Sequence, residues 1–218
     1  MHSTDLLYSK SCIYTMSDKP SIQHVIFDLG GVVVDWNPDA IVRVVLNDPD
    51  LQDRVKQTIF QHPDWLEMDR GMLTEAEAIP EFARRAGIAR ELVVELLRTA
   101  DRMLLPKPDT LDLIRELHGK NLSLYCLSNI PSDRFAYLKR RYDFWDVFEG
   151  AVISGDLGMV KPDKEIYEYL FHTYELEPSA CVFLDDAPIN IEGARAVGMH
   201  GIVFTDAASC RSALMDLF

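Results

Sequence analysis

His24-Val25-Ile26-Phe27-Asp28-Leu29-Gly30-Gly31-Val32-Val33-Val34-Asp35 is the stretch on which the fold turns. An apolar run leads to a lone carboxylate, two glycines follow, and a second apolar run comes after. A short apolar run bounded by turn residues is the pattern of a buried strand in a parallel sheet. Asp28 stands where the chain leaves that strand, and a charge there is costly unless a metal or hydrogen bonds compensate it. Gly30 and Gly31 let the backbone turn sharply and approach a ligand closely. Ligands of open α/β sheets bind outside the carboxyl ends of the strands. Asp28 is therefore a candidate nucleophile or metal ligand, or else a strand-end aspartate that caps the next turn.

Working outward, 218 residues suffice for one sizeable domain, or a core domain with an insertion. A composition of 48% hydrophobic and 26% charged residues is that of a soluble globular protein. The net charge of -13 argues against a nucleic-acid backbone or an anionic membrane surface as partner. Cys12, Cys126, Cys181 and Cys210 have no paired zinc or redox spacing. Cys126 and Cys181 fall in strand-like apolar runs, which points to a reducing, cytoplasmic setting. No run reaches the length of a membrane span. Residues 1–20 lack a secretory h-region and are expected to be a poorly ordered leader.

Asp35-Trp36-Asn37-Pro38 reads as a turn. From there to about 105 the periodicity is helical. Thr74-Glu75-Ala76-Glu77 is a capping box, and Gly87 closes the helix it starts. From Asp109 onward helices alternate with strands over about 122–127, 151–153, 181–184 and 202–204. Pro162 is expected to start the helix 163–174. Such alternation predicts a parallel sheet with helices on both faces. The expected organisation is an α/β core from 21–35 and 106–218, with an all-helical cap, 36–105, inserted after the first strand.

Polar groups stand at four of the expected strand ends or the loops after them: Asp28, Ser128-Asn129, Lys161 and Asp185-Asp186. Each has a plain structural reading as a helix cap, a solvated lysine or a turn. Adjacent carboxylates repel, however, unless a cation lies near them. Carboxylates from two distant strand ends suit a hard cation such as Mg²⁺. The Ser128 hydroxyl and the Lys161 ammonium suit phosphate oxygens whose charge grows in a transition state.

In that order these residues resemble the four motifs of the haloacid dehalogenase-like hydrolases, especially the phosphatases with a helical cap. Phe27-Asp28-Leu29-Gly30-Gly31-Val32, Leu127-Ser128-Asn129, Val160-Lys161-Pro162-Asp163 and Phe183-Leu184-Asp185-Asp186 through Ala194 carry the resemblance. Within the family, the first and last are similar to sugar-phosphate phosphatases of the glucose-1-phosphatase type. The resemblance implies a Rossmann-like core and a small phosphorylated metabolite as substrate. It also implies Asp28 as nucleophile and Mg²⁺ between Asp28, the Gly30 carbonyl and Asp186, with Asp185 in or near the shell. Lys161 and Ser128 would assist catalysis, and Ser128, Asn129, Lys161 and Gly31 would meet the substrate.

One position departs from the family. Most of its phosphatases carry a second Asp two residues after the nucleophile, which protonates the leaving alcohol; here that position is Gly30. Such help is worth ~10²–10⁴ in rate. The expected consequence is a leaving group that needs little protonation, as in an anomeric sugar phosphate or an acyl phosphate. A slower enzyme, or a replacement acid from the cap or a water, are the other outcomes. The segment Glu67-Met68-Asp69-Arg70-Gly71 offers Arg70, with His62 nearby, as a candidate cap contact. Two further readings stay open: a dehalogenase attacking carbon without metal, and a phosphate-binding module without turnover.

Overall fold

The computed structural model describes residues 22–218. The expected leader, and Cys12 within it, lie outside them. Strands β1 (His24–Phe27), β2 (Ser123–Ser128), β3 (Gly150–Ile153), β4 (Cys181–Asp185) and β5 (His200–Val203) form one parallel sheet in the order β3-β2-β1-β4-β5. β1 is central, and the chain passes to β2 on one side of it and β4 on the other. The carboxyl ends of these strands are thus the topological switch point where ligands bind. Phe27 is in register with Cys126 and Leu184, so Asp28, Ser128 and Asp185 emerge close together.

Alternate strand residues feed two cores, as a sheet covered on both faces requires. Val25, Phe27, Leu124, Cys126, Val182 and Leu184 pack with α6 (Pro108–His118), α7 (Ser132–Arg141) and α11 (Ala207–Met215). Ile26, Tyr125, Leu127 and Phe183 pack with α9 (Lys164–Tyr174) and α10 (Pro188–Ala196).

The helices expected after β1 are α1 (Pro38–Val45), α2 (Pro49–Val55), α3 (Pro63–Asp69), α4 (Glu75–Ala86) and α5 (Arg90–Met103), with a π-helical turn over Lys56–Phe60. They enclose a third core, from Ile41 to Ala100. The capping box forms reciprocally between Thr74 and Glu77, and Gly87 ends α4 at φ 66°. The two segments joining this cap to the sheet are hydrogen-bonded to each other: Asp35 N donates to Leu105 O at 2.8 Å and Lys107 N to Val33 O at 2.9 Å.

The apolar run Val32–Val34 folds as a turn, with Val34 bridging Gly30 and Pro106. A short helix, α8 (Ser154–Leu157), follows β3. One local expectation changes. Pro162 precedes α9 rather than starting it: the Lys161–Pro162 peptide is cis and the helix begins at Lys164.

Candidate active site

Lys161 is the hub of the strand ends. Its Nζ lies 2.9 Å from Asp28 Oδ1 and 2.7 Å from Asp185 Oδ2, and donates to Leu127 O at 3.0 Å. Its side chain is 1% exposed. Burial lowers the lysine pKa, but Asp28 and Asp185 outweigh that effect and the net direction is up, so the ammonium stays charged. A buried charge is tolerated only when paired and hydrogen-bonded, which is the case here.

The adjacent carboxylates of β4 divide their work. Asp185 is fully buried and every oxygen is committed: Oδ1 accepts from Ala187 N at 2.8 Å and Asn190 Nδ2 at 3.1 Å, and Oδ2 accepts from Lys161 and Asn190. Asp186 is exposed, and burial of its carboxyl together with the Asp185 charge raises its pKa. Asp28 is raised to about 6, first by burial, with Lys161 lowering it, Asp185 raising it and Ser128 lowering it. Its Oδ1 is ion-paired with the Lys161 ammonium at 2.9 Å.

Donor oxygens of Asp28, Asp185 and Asp186 all lie within 4.8 Å of one another. Three carboxylates converging on one point with a single lysine ammonium among them, and an all-oxygen donor set, suit a hard cation such as Mg²⁺. Since Asp185 is consumed by Lys161 and Asn190, Asp28 and Asp186 are the carboxylates free to take it.

Two residues expected at the substrate are occupied otherwise. Gly31 N donates to Val34 O at 2.8 Å, and Gly31 O accepts from Lys107 Nζ at 2.7 Å, so neither group faces a ligand. Its φ of +78° needs glycine, and a Cβ there would stand 2.2 Å from Asp186 Oδ2. Gly31 thus makes room for Asp186. The amides of Leu29 and Gly30, which the sequence did not single out, make no hydrogen bond among the described residues. Asn129 clamps the Lys161 peptide: its Oδ1 accepts from Lys161 N at 2.8 Å and its Nδ2 donates to Lys161 O at 3.0 Å. Neither Ser128 nor Asn129 caps α7. Ser128 is buried beside Asp28 and lowers its pKa.

A cavity of about 310 Å³ opens over these groups. Asp28, Gly30, Ser128, Asn129 and Asp186 form its floor, and Val34, Trp36, Trp65, Leu104, Ile130, Asp69 and Arg134 its walls. Arg134, on α7, reaches across to the cap. Its Nε donates to Asp101 Oδ1 at 2.6 Å, one Nη donates to Glu75 Oε1 at 3.1 Å, and its guanidinium lies 5.3 Å from the Trp65 ring centre. His62 and Arg70 are absent from the cavity walls. His62 Nδ1 accepts from Asp64 N at the start of α3, and Arg70 binds Gly158 O and Asp163. The cap residue of that segment that reaches the cavity is Asp69. A carboxylate in the last turn of a helix opposes the helix dipole, and that was the available sequence signal.

Fold and strand-end chemistry together define a hydrolase built on a Rossmann-like sheet with a helical cap. A family model for haloacid dehalogenase-like hydrolases matches residues 22–198, and the chain belongs to that family. It is 32% identical to sesquiterpene phosphatase astK of Aspergillus oryzae, over 85% of this chain and 91% of that protein. It is 29% identical to D-ribitol-5-phosphate phosphatase of Bacteroides thetaiotaomicron, over 88% of this chain and 97% of that one. Among solved structures it is similar in fold to a HAD family enzyme of Bacteroides thetaiotaomicron in complex with magnesium and inorganic phosphate. That match has a TM-score of 0.68, with 19% identity, 85% of this chain covered and 95% of that one.

Proposed function

We propose that this protein is a Mg²⁺-dependent phosphatase that hydrolyses a small phosphate monoester through an aspartyl-phosphate on Asp28. The observation that carries the reading is the Asp28 carboxylate: buried at the strand ends, ion-paired with Lys161 at 2.9 Å, and within 4.8 Å of carboxylate oxygens of Asp185 and Asp186. Asp28 and Asp186, with the Gly30 carbonyl, would hold the metal, while Asp185 stands behind them and anchors Lys161. Mg²⁺, when bound, supplies positive charge against the phosphoryl oxygens and both carboxylates. Asp28 attacks phosphorus in line, and Lys161, Ser128 and the free amides of Leu29 and Gly30 receive the oxygens. Asn129 fixes the Lys161 backbone for that task. The cap covers the cavity and keeps bulk water from the reacting atoms.

The walls bear on the substrate. Beyond the floor, Trp36, Trp65, Val34, Leu104 and Ile130 are apolar, and Arg134 is already paired by Asp101 and Glu75. Polar groups fix orientation in small-molecule sites, and this wall offers few of them. The reading is therefore a phosphate monoester with a largely apolar leaving portion, in keeping with the similarity to the sesquiterpene phosphatase. The sugar phosphate expected from the sequence, anomeric or not, is the second reading. Sugar carbon faces fit the two indoles, and the ribitol-5-phosphate phosphatase is nearly as similar. The buried free thiols of Cys126, Cys181 and Cys210 support a reducing, cytoplasmic setting.

The test is hydrolysis of a panel of phosphate esters, from isoprenyl phosphates to glucose 1-phosphate and glucose 6-phosphate, with and without Mg²⁺. It includes Asp28→Asn as the control. Halide release from a 2-haloacid that survives chelation, with the phosphate esters left intact, would favour attack on carbon without metal. Phosphate bound tightly but never turned over would favour the non-catalytic module.

A further inference from the structure

Among the described residues that line the cavity, Asp69 is the one acid the cap contributes, together with Trp36, Trp65 and Leu104. Nothing among the described residues hydrogen-bonds its carboxyl, although the backbone around it is firmly fixed. Ser154 Oγ donates to Asp69 O and accepts from Ile130 N at 2.8 Å, tying the end of α3 to the loops after β2 and β3. Gly71 stacks so closely on Gly155 that a Cβ would lie 2.6 Å from Gly155 O. Arg70 is held by Gly158 O and Asp163. The segment on either side of Asp69 is docked, and the residue lines the cavity that Asp28, Gly30 and Ser128 also line.

The surroundings favour the protonated form of that carboxyl. Burial pushes its pKa up to about 8; Arg134 lowers it, Asp28 raises it and Lys161 lowers it. The other acids that meet the cap near Arg134, Glu75 and Asp101, are consumed by that arginine. His62 has its ring nitrogen engaged in capping α3. Position 30, where most of the family's phosphatases carry their acid, is glycine.

Resting on the phosphatase reading, we infer that Asp69 is a catalytic residue: the acid that protonates the leaving oxygen, supplied by the cap in place of the one absent at Gly30. Asp28 Oδ bonds to phosphorus as the bond from phosphorus to the leaving oxygen breaks. The Asp69 proton passes to that oxygen, giving the alcohol and an Asp69 carboxylate. Water then attacks phosphorus and gives its proton to Asp69. The phosphorus–Asp28 bond breaks, releasing inorganic phosphate and restoring both carboxyl groups. The need for an activated leaving group, which followed from Gly30 alone, disappears.

The experiment compares kcat/KM of the wild type and Asp69→Asn on p-nitrophenyl phosphate, whose leaving group needs no proton, and on a simple alkyl phosphate, whose leaving group does. The expected result is a loss of ~10²-fold or more on the alkyl ester and under ~10-fold on the aryl one, with a burst of p-nitrophenolate as the aspartyl-phosphate accumulates. Equal losses on both esters, or no loss on either, overturn the assignment. A second variant guards against a folding defect: a Cβ at Gly30 meets only Trp36, at 3.5 Å, so position 30 has room for a side chain. Gly30→Asp added to Asp69→Asn should restore alkyl-ester hydrolysis at least ~10-fold, and a folded double variant without that recovery also counts against Asp69. Should Asp28→Asn keep its turnover, the phosphatase mechanism itself fails, a result separate from either outcome at position 69.

Discussion

The sheet and the cap meet at one cavity but contribute to it in different ways. At the strand ends polar groups are mostly spoken for: Lys161, Asp185, Asn190 and Asn129 form one closed set of contacts, from which Asp28 and Asp186 stand out as incomplete. The cap presents two indoles and a carboxyl, and is fastened by a few polar bridges, those of Arg134, Arg70 and Ser154. The difference teaches where the proposed roles lie: the bond-breaking groups sit on the sheet in a closed set of contacts, while substrate choice and proton supply depend on how the cap is docked.

That division can be broken at several points. Asp28→Asn should lower turnover by at least ~10⁴-fold with the circular dichroism unchanged, since it removes the nucleophile and leaves Lys161 paired with Asp185. Retained turnover would show that the strand ends are not the seat of the chemistry. Removing divalent ions should abolish hydrolysis and adding Mg²⁺ should restore it, as steady-state rates through a chelation and add-back cycle will show. Lys161→Met should destabilise the fold by roughly 3–5 kcal/mol in urea titrations, because Asp28 and Asp185 are left as uncompensated buried charges.

On the cap side, and on p-nitrophenyl phosphate, whose leaving group needs no proton from Asp69, Arg134→Gln should raise KM about 10-fold and change kcat less, because it loosens docking without touching the strand-end set; a pure kcat effect would erase the distinction between the regions. The last effect concerns pH and is read on stability rather than turnover. With its folded pKa raised above the unfolded value of 3.8 to about 8, Asp69 binds a proton in the folded chain that the unfolded chain has lost. Its contribution to stability therefore declines as pH rises from about 4 to 8. Asp69→Asn should remove that decline, so the variant's melting temperature should gain on the wild type steadily over that window.

Much of the sheet and its site was legible in the sequence. Apolar runs ending in Asp28, Ser128 and Asp185 are local signals, and a parallel sheet brings such ends together. The cap helices were legible as well, from the Thr74 capping box and the stop at Gly87. The facing of the cap was not. Whether Asp69, Arg70 or His62 meets the cavity depends on the contact of Asp69 O with Ser154, 85 positions away, and on Gly71 resting against Gly155. The contacts that hold Gly31 and Asn129 were not legible for a related reason: the Val34 carbonyl and the Lys161 peptide that engage them are backbone partners, to which residue identity gives no clue.

A single ammonium touches groups from β1, β2 and β4 at once, through Asp28, Leu127 and Asp185. It acts as a keystone, so the reactive carboxylate takes its working posture only after three non-consecutive segments have assembled. Partly folded forms would be chemically silent, and slight loosening of any of those segments should quench turnover while most helices persist. In this molecule the rate of hydrolysis doubles as a gauge of whether the whole tertiary structure is intact.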